Sequence, residues 1–396
     1  MKLRIPRLFR RKELNNFLVV LTVSLIVIAL LGGVAIFLFQ GGTIFIHDAF
    51  FMAFSSVTCT GLSTVPIQTL NVVSKITLLV LIQSGSVVLW TLYPVVIRRR
   101  FLMTNFKQPI RSETVPRTLM IGYRPEDPNI PIYKLSVEYW ALTYLLYLVL
   151  LYILFFYVFT FVSLTIYFLF SSWGRSVTAV EGGWAWFTFF LTISSFNNAG
   201  LTLLNASLAP FYNVPFVLIP VVIAIFAGQT GFPILLHTII SFPMKRPGFV
   251  HIQKLLKKSG REFYTHLFSP LETYWLGFWW LSFFIVQFTL LLVLDYPRFP
   301  GEFFTKILNI YFLTVATRTA GFATFDLSIL SPASWTVMAL LMILAPTPFI
   351  FLLRKTSRRV PVRAEQRDPH TLKGALKNVW KVQEDEPWIR GLFLQY

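Results

Sequence analysis

The stretch Ser55-Ser-Val-Thr-Cys-Thr-Gly61-Leu-Ser-Thr64 returns twice without gaps, as Ser194-Ser-Phe-Asn-Asn-Ala-Gly200-Leu-Thr-Leu203 and as Val315-Ala-Thr-Arg-Thr-Ala-Gly321-Phe-Ala-Thr324. Glycine holds the seventh place each time, where it permits positive φ and a sharp change of chain direction. A short apolar piece leads into each stretch: Asp48–Cys59, Gly183–Ser195 and Glu302–Val315. As helices these pieces reach about 20 Å, short of a hydrocarbon core of about 30 Å. Longer apolar runs flank them: Phe17–Phe39, Ile76–Ile97, Leu135–Phe170, Val214–Ile240, Leu271–Leu294 and Trp335–Leu353. Six such runs predict six membrane spans, and Leu135–Phe170 exceeds one crossing, so it must tilt, bend or project.

Composition agrees. The chain has 396 residues, 55% hydrophobic and only 13% charged, with 41 Phe, 15 Tyr and 11 Trp. Soluble domains carry about 25% charged residues, so a soluble core of this size is excluded. The net charge of +18 resides mostly beside the apolar runs, since 30 of the 35 Lys and Arg fall in residues 1–12, 98–134, 243–266 and from 354 onward. That placement reads as a topology signal, and no nucleic-acid partner is expected. The apolar run at Phe17–Phe39 is too long for a signal peptide and reads as a retained helix in the lipid bilayer.

Charge also decides whether the short pieces cross. If they dip in and return, all four basic segments share the cytosolic side; if each crosses, the segments divide 12 against 18 and no orientation results. The positive-inside rule therefore selects return. The expected fold is an all-α polytopic membrane protein of three helix–pore-loop–helix repeats, over residues 16–97, 135–242 and 267–355. A cytosolic N-terminus (1–15), cytosolic linkers (98–134 and 243–266) and a cytosolic tail (356–396) complete the division.

Irregular backbone at membrane depth persists only where protein buries it or a wet path runs beside it. Carbonyls turned toward a common axis can replace the hydration shell of a cation, and the negative C-terminal ends of the short helices favour the same charge. A lone short glycine-containing piece is more often a hairpin packed between helices; three in register point to a cation path.

The sequence resembles the Trk/Ktr/HKT superfamily of potassium transporters, above all its fungal Trk branch. The resemblance rests on Asp48–Thr64 as a whole, Ser195-Phe-Asn-Asn-Ala-Gly-Leu201, Ala227-Gly-Gln-Thr-Gly-Phe-Pro233 and Thr317-Arg-Thr-Ala-Gly-Phe322, and it spans roughly residues 15 to 360. It implies a pore of four repeats with one filter glycine from each, K⁺ as the transported ion, the plasma membrane as location and a homodimer as assembly. Gly61, Gly200 and Gly321 would be filter positions, lined by the carbonyls of Thr58, Cys59, Thr60, Asn197, Asn198, Ala199, Arg318, Thr319 and Ala320. This sequence shows three repeats where the family has four, so a truncated chain is expected, and a non-conducting or regulatory subunit is the alternative to K⁺ uptake.

Other residues divide between structural and functional roles. Arg318, a fixed cation in a cation filter, is expected behind the loop as a brace. Asp48 and Glu302 open short helices, where carboxylates cap and also attract cations. Gly228, Gly231 and Pro233 interrupt one trailing run, and Pro346 and Pro348 another, as kinks or as a gate. Asn205-Ala-Ser207 forms a glycosylation sequon. Cys59, the single cysteine, has no disulfide partner. His47, His237, His251, His266 and His370 lack metal-binding spacing, and no nucleotide, nucleophile or paired-carboxylate motif appears, so neither a cofactor nor an enzyme activity is expected.

Overall fold

The computed structural model describes residues 11–105, 130–179, 183–242, 267–268 and 270–344, and among them it holds helices and turns without strands. The first unit has α1 (Arg11–Phe39), the short α2 (Ile46–Val57), then α3 (Val72–Ser84) and α4 (Val87–Asn105). The second has α5 (Ile130–Phe170), α6 (Ser172–Ala179), the short α7 (Trp184–Phe196), α8 (Pro215–Gly228) and α9 (Phe232–Ser241). The third has α10 (Pro270–Leu294), α11 (Phe303–Thr319) and α12 (Pro332–Leu344).

Leu21–Phe39, Tyr139–Phe170 and Pro270–Leu294 are long and apolar enough to cross a bilayer, with mean hydropathies of 2.7, 2.6 and 2.0. The bent pairs α3–α4 and α8–α9 raise the number of crossings to as many as five. The protein is thus an all-α polytopic membrane protein. The sixth expected span is described only through α12; its remainder, with Pro346 and Pro348, lies outside the described residues.

Helix α5 is continuous over 41 residues because Pro131 falls in its first turn and no Gly or Pro follows within it. Its fully buried Phe168 meets Phe187 of α7 and Phe211 edge-to-face, with ring centroids 5.8 Å apart in both cases. Such close packing, rather than expulsion of water, holds helices together in lipid. The amphipathic α6, absent from the expected spans, continues directly from α5.

The leading and trailing helices of the first and third units are stapled at the same place by different chemistry. Gln40, just past α1, accepts from the Asn71 amide (3.1 Å) and the Ser74 hydroxyl (3.2 Å), while Asn71 caps α3 through Ser74 N at 2.8 Å. Asp295, just past α10 and fully buried, accepts from the Ser331 amide (2.9 Å) and hydroxyl (3.1 Å), and Arg298 pairs with it at 3.0 Å. A 3₁₀ turn precedes each staple, Ile67–Thr69 in one case and Leu327–Ile329 in the other, six residues beyond the respective glycine.

Two trailing helices break. The run Ile76–Ile97, expected as one straight span, bends by 57° at Gly85–Ser86, and α8 meets α9 at 79° beside Gly228 and Gly231. The cause is a crossing. A β-carbon on Gly85 would stand 1.9 Å from the carbonyl oxygen of Val57, the last residue of α2. One on Gly228 would stand 1.5 Å from that of Phe196, the last residue of α7. Each trailing helix therefore presses bare backbone against the end of its short helix and then turns away. Carbonyls freed by the turns find side chains: Trp90 Nε1 donates to Ser84 O (2.6 Å), Tyr152 Oη to Ala227 O (2.7 Å) and Asn198 Nδ2 to Ile225 O (3.2 Å). Pro233 sits in the first turn of α9, where it starts a helix instead of kinking one.

Gly228→Ala should lower stability by roughly 2 kcal/mol or more through forced backbone displacement. Gly277→Ala, whose new methyl would have its nearest neighbour 3.9 Å away, should be near neutral. Melting of the two detergent-purified variants beside the parent chain checks the contrast.

Candidate functional site

The three aligned glycines adopt the same left-handed backbone, with φ of 79° at Gly61, 70° at Gly200 and 71° at Gly321. They also meet. A β-carbon on Gly61 would lie 2.6 Å from Ala199 O and 3.2 Å from the Gly200 α-carbon; one on Gly200 would lie 2.0 Å from Ala320 O. On Gly321 the nearest atom is Thr60 O at 3.9 Å. Three loops far apart in sequence thus bring main-chain oxygens and hydrogen-only α-carbons close together, with no room for a β-carbon at Gly61 or Gly200.

Loops one and two leave their helices identically. Thr58 N bonds Phe54 O (2.9 Å), Cys59 N bonds Ser56 O (3.2 Å) and Thr60 N bonds Ser55 O (2.9 Å). The aligned Asn197, Asn198 and Ala199 amides bond Ile193 O (3.1 Å), Ser195 O (3.2 Å) and Ser194 O (2.9 Å). Cys59 and Asn198 both hold φ near the left-handed helical value, 53° and 56°, an uncommon state for residues with side chains. Their side chains turn to equivalent carbonyls three residues before the break glycine. Cys59 Sγ lies 3.9 Å from Ile82 O, and Asn198 Nδ2 lies 3.2 Å from Ile225 O.

A serine then ties each loop back on itself. Ser55 Oγ donates to Leu62 O and Ser194 Oγ to Leu201 O, both at 2.6 Å. The third loop has Val315 at this place and lacks the tie. It departs in another respect too: α11 runs to Thr319, so Arg318 and Thr319 belong to its last turn rather than to the return loop expected after Val315. Ala320 caps the helix, and the Ala320 and Gly321 amides both bond Ala316 O at 2.9 Å. The longer helix follows from replacing the left-handed Cys59 and Asn198 by a Thr319 that stays helical. The side chains of Arg318 and Thr319, and with them the expected brace, lie outside the described residues.

Loop two sits between the others and is the most enclosed. Ala199 is fully buried and Asn198 nearly so, whereas Thr58, Thr60 and Gly321 are exposed. Past the glycines, loops two and three are clamped, since Leu208 N bonds Ala323 O (3.0 Å) and Ala323 N bonds Ser207 Oγ (3.3 Å). Asn309 of α11 adds a bond to Tyr212 O at 2.9 Å.

The remaining expected residues stand apart. Asp48 is in the first turn of α2, 3.6 Å from His47, and Glu302 precedes α11; neither position carries a side-chain cap hydrogen bond, so both act on helix ends by charge alone. Asn205 is exposed on the turn after loop two. Among the described residues no three His, Cys, Asp or Glu side chains cluster as metal ligands.

Fold and site together define a class: a multi-pass helical membrane protein in which glycine loops at the ends of short helices approach one another. Residues 133–362 match the TrkH family, described as cation transport protein, and the chain belongs to that family. The family is one of transport proteins rather than an enzyme class. A Dictyostelium discoideum protein named for potassium transport is 35% identical over 234 residues, 58% of this chain and 36% of that protein. The potassium transporter TRK1 of Candida albicans is 36% identical over 181 residues, 44% of this chain and 17% of the relative. The high-affinity potassium transport protein of Saccharomyces cerevisiae is 30% identical over 230 residues, 56% of this chain and 19% of the relative. The chain therefore spans about a third or less of the length of these relatives.

Ser194→Ala should destabilise by about 1–2 kcal/mol, because it strands the Leu201 carbonyl in a buried place. Ser55→Ala should cost less, since its bond to Leu62 is only partly buried. Paired thermal melts in one detergent read the difference.

Proposed function

We propose that this chain carries K⁺ into the cell across the plasma membrane, through a filter of main-chain carbonyls at Gly61, Gly200 and Gly321. The observation that carries the reading is the approach of the three left-handed glycines to one another's main-chain oxygens. Backbone oxygens suit a singly charged ion of K⁺ size that must bind and also leave. The lining is the carbonyl row Thr58–Thr60, Asn197–Ala199 and Arg318–Ala320, and the units extend over 16–97, 135–242 and 267–355. With the short helices returning to the outer face, the N-terminus and the basic linkers lie in the cytosol. An inside-negative membrane then drives uptake by about 2.3 kcal/mol per charge at 100 mV.

The relatives named for potassium transport support the choice of ion. A second reading, a non-conducting or regulatory subunit of a Trk-type transporter, is favoured by one feature. Loop two has neighbours on both sides, while loops one and three each present an exposed edge. A fourth unit between those edges would close the ring.

Expression in cells lacking K⁺ uptake separates the readings. The first predicts growth on low K⁺ and its loss, more than tenfold in uptake rate, when Gly61, Gly200 or Gly321 becomes Leu with the protein still in the membrane. No rescue by the parent chain, but rescue when a four-unit relative supplies its last unit, selects the second. Uptake unchanged in the Leu variants removes the filter assignment.

A further inference from the structure

One polar side-chain cluster lies beside the second glycine loop, and the assignments above use only the backbone carbonyl of its Asn197. Tyr157, about two thirds of the way along α5, donates its hydroxyl to Gln83 Oε1 at 2.6 Å. Asn197 Nδ2 reaches Tyr157 Oη at 3.0 Å, Gln83 Oε1 at 3.2 Å and Ile193 O at 2.9 Å. The three residues come from three different elements. Gln83 is two residues before the Gly85 break in the first trailing helix, Tyr157 is in the second leading helix, and Asn197 opens the second glycine loop. The Tyr157 ring stands edge-on to Phe196 with centroids 4.9 Å apart, so its position is fixed by packing as well as by hydrogen bonds.

Among the described residues this three-way set occurs at the seam of the first and second units; in the third unit a single buried bond, Gln287 Nε2 to Thr317 Oγ1 at 2.6 Å, joins the leading helix to the short one. At the seam between the second and third units, the place equivalent to Gln83 is taken by Phe226, two residues before Gly228. Phe226 lies against Trp280 at 4.8 Å between centroids. An apolar contact there can slide, whereas a closed set of hydrogen bonds in a low-dielectric interior holds one geometry.

We propose that Tyr157 is a positioning residue for ion discrimination: its hydroxyl, shared between Gln83 and Asn197, fixes the carbonyl row of the central loop against the broken first trailing helix. The inference rests on the carbonyl-filter reading. Asn197 is the hinge of the device, because its side chain is held by the strut while its own backbone leads directly into Asn198, Ala199 and Gly200. Freeing the side chain lets that row relax and blunts the preference for one ion radius over another. It leaves the fold in place, since the Ser194 tie and the Tyr152 and Asn198 bonds to the second break do not involve Tyr157.

Tyr157→Phe removes the hydroxyl and keeps the ring. In uptake-deficient cells the ratio of K⁺ to Na⁺ uptake should fall about fivefold at unchanged membrane abundance. Gln83→Leu should do the same, and the double variant should fall no further than either single one, as expected of residues acting as a unit. A second readout needs no transport: an ion that binds the folded chain raises its melting temperature. For the purified parent chain KCl should raise melting above NaCl, and Tyr157→Phe should erase most of that difference. A parent chain that melts with a K⁺ preference but does not transport overturns the uptake reading alone, and the melting difference then decides on Tyr157. A parent chain with neither response overturns both. An unchanged ion preference in Tyr157→Phe, with or without a lower melting temperature, or additive effects in the double variant, overturns the role of Tyr157 alone.

Discussion

A backbone amide or carbonyl surrounded by hydrocarbon has no solvent to turn to, and the described structure follows from that shortage. Helices meet the demand internally, but this chain interrupts its helices at the glycine loops and at the trailing-helix breaks. Four of these interruptions are matched by side-chain donors, while the third loop, with Val315, lacks the serine tie. Trp90 serves the first break and Tyr152 with Asn198 the second, while Ser55 and Ser194 serve the returning loops. Near the three glycines, main-chain oxygens of Thr60, Ala199 and Ala320 lie close to the glycine of a neighbouring loop.

Geometry in these units persists where chemistry does not. Gln40 and Asp295 perform one staple with a neutral amide and with a buried anion. Cys59 and Asn198 occupy the same left-handed place and face the same carbonyl of their trailing helices, one with a weak thiol contact and the other with an amide donor. The third loop shows how far the pattern bends. It lacks the serine, extends its helix by two residues and still delivers its glycine at φ of 71°.

Much of this was legible in the sequence. The register of Gly61, Gly200 and Gly321 was visible as text, and the interruption near Gly228 and Gly231 could be read because several helix breakers lie together. The bend at Gly85 could not, since a single glycine inside an apolar run is compatible with a straight helix. What forces the turn is the Val57 carbonyl, brought there by tertiary packing. Ser55 and Ser194 stood inside the quoted stretches, yet their bonds to carbonyls seven residues on depend on loop curvature that spacing does not reveal. Tyr157 and Gln83 were harder still. Each is one of several polar or hydroxyl-bearing residues in a long apolar run, 40 and 114 positions from the Asn197 that completes the set. An amide at membrane depth, Gln83, was the strongest available signal.

The uninterrupted α5 has a consequence for how such a protein meets the lipid. Its apolar portion, Tyr139–Phe170, comprises 32 residues, about 48 Å of helix against a hydrocarbon layer of about 30 Å. Bringing that length inside the layer takes a lean of about 50°, beyond the observed range of about 0–40°. The mismatch is smaller in a thicker bilayer, so this one helix ties the depth of the molecule to the thickness of the membrane around it unless its end projects beyond the lipid.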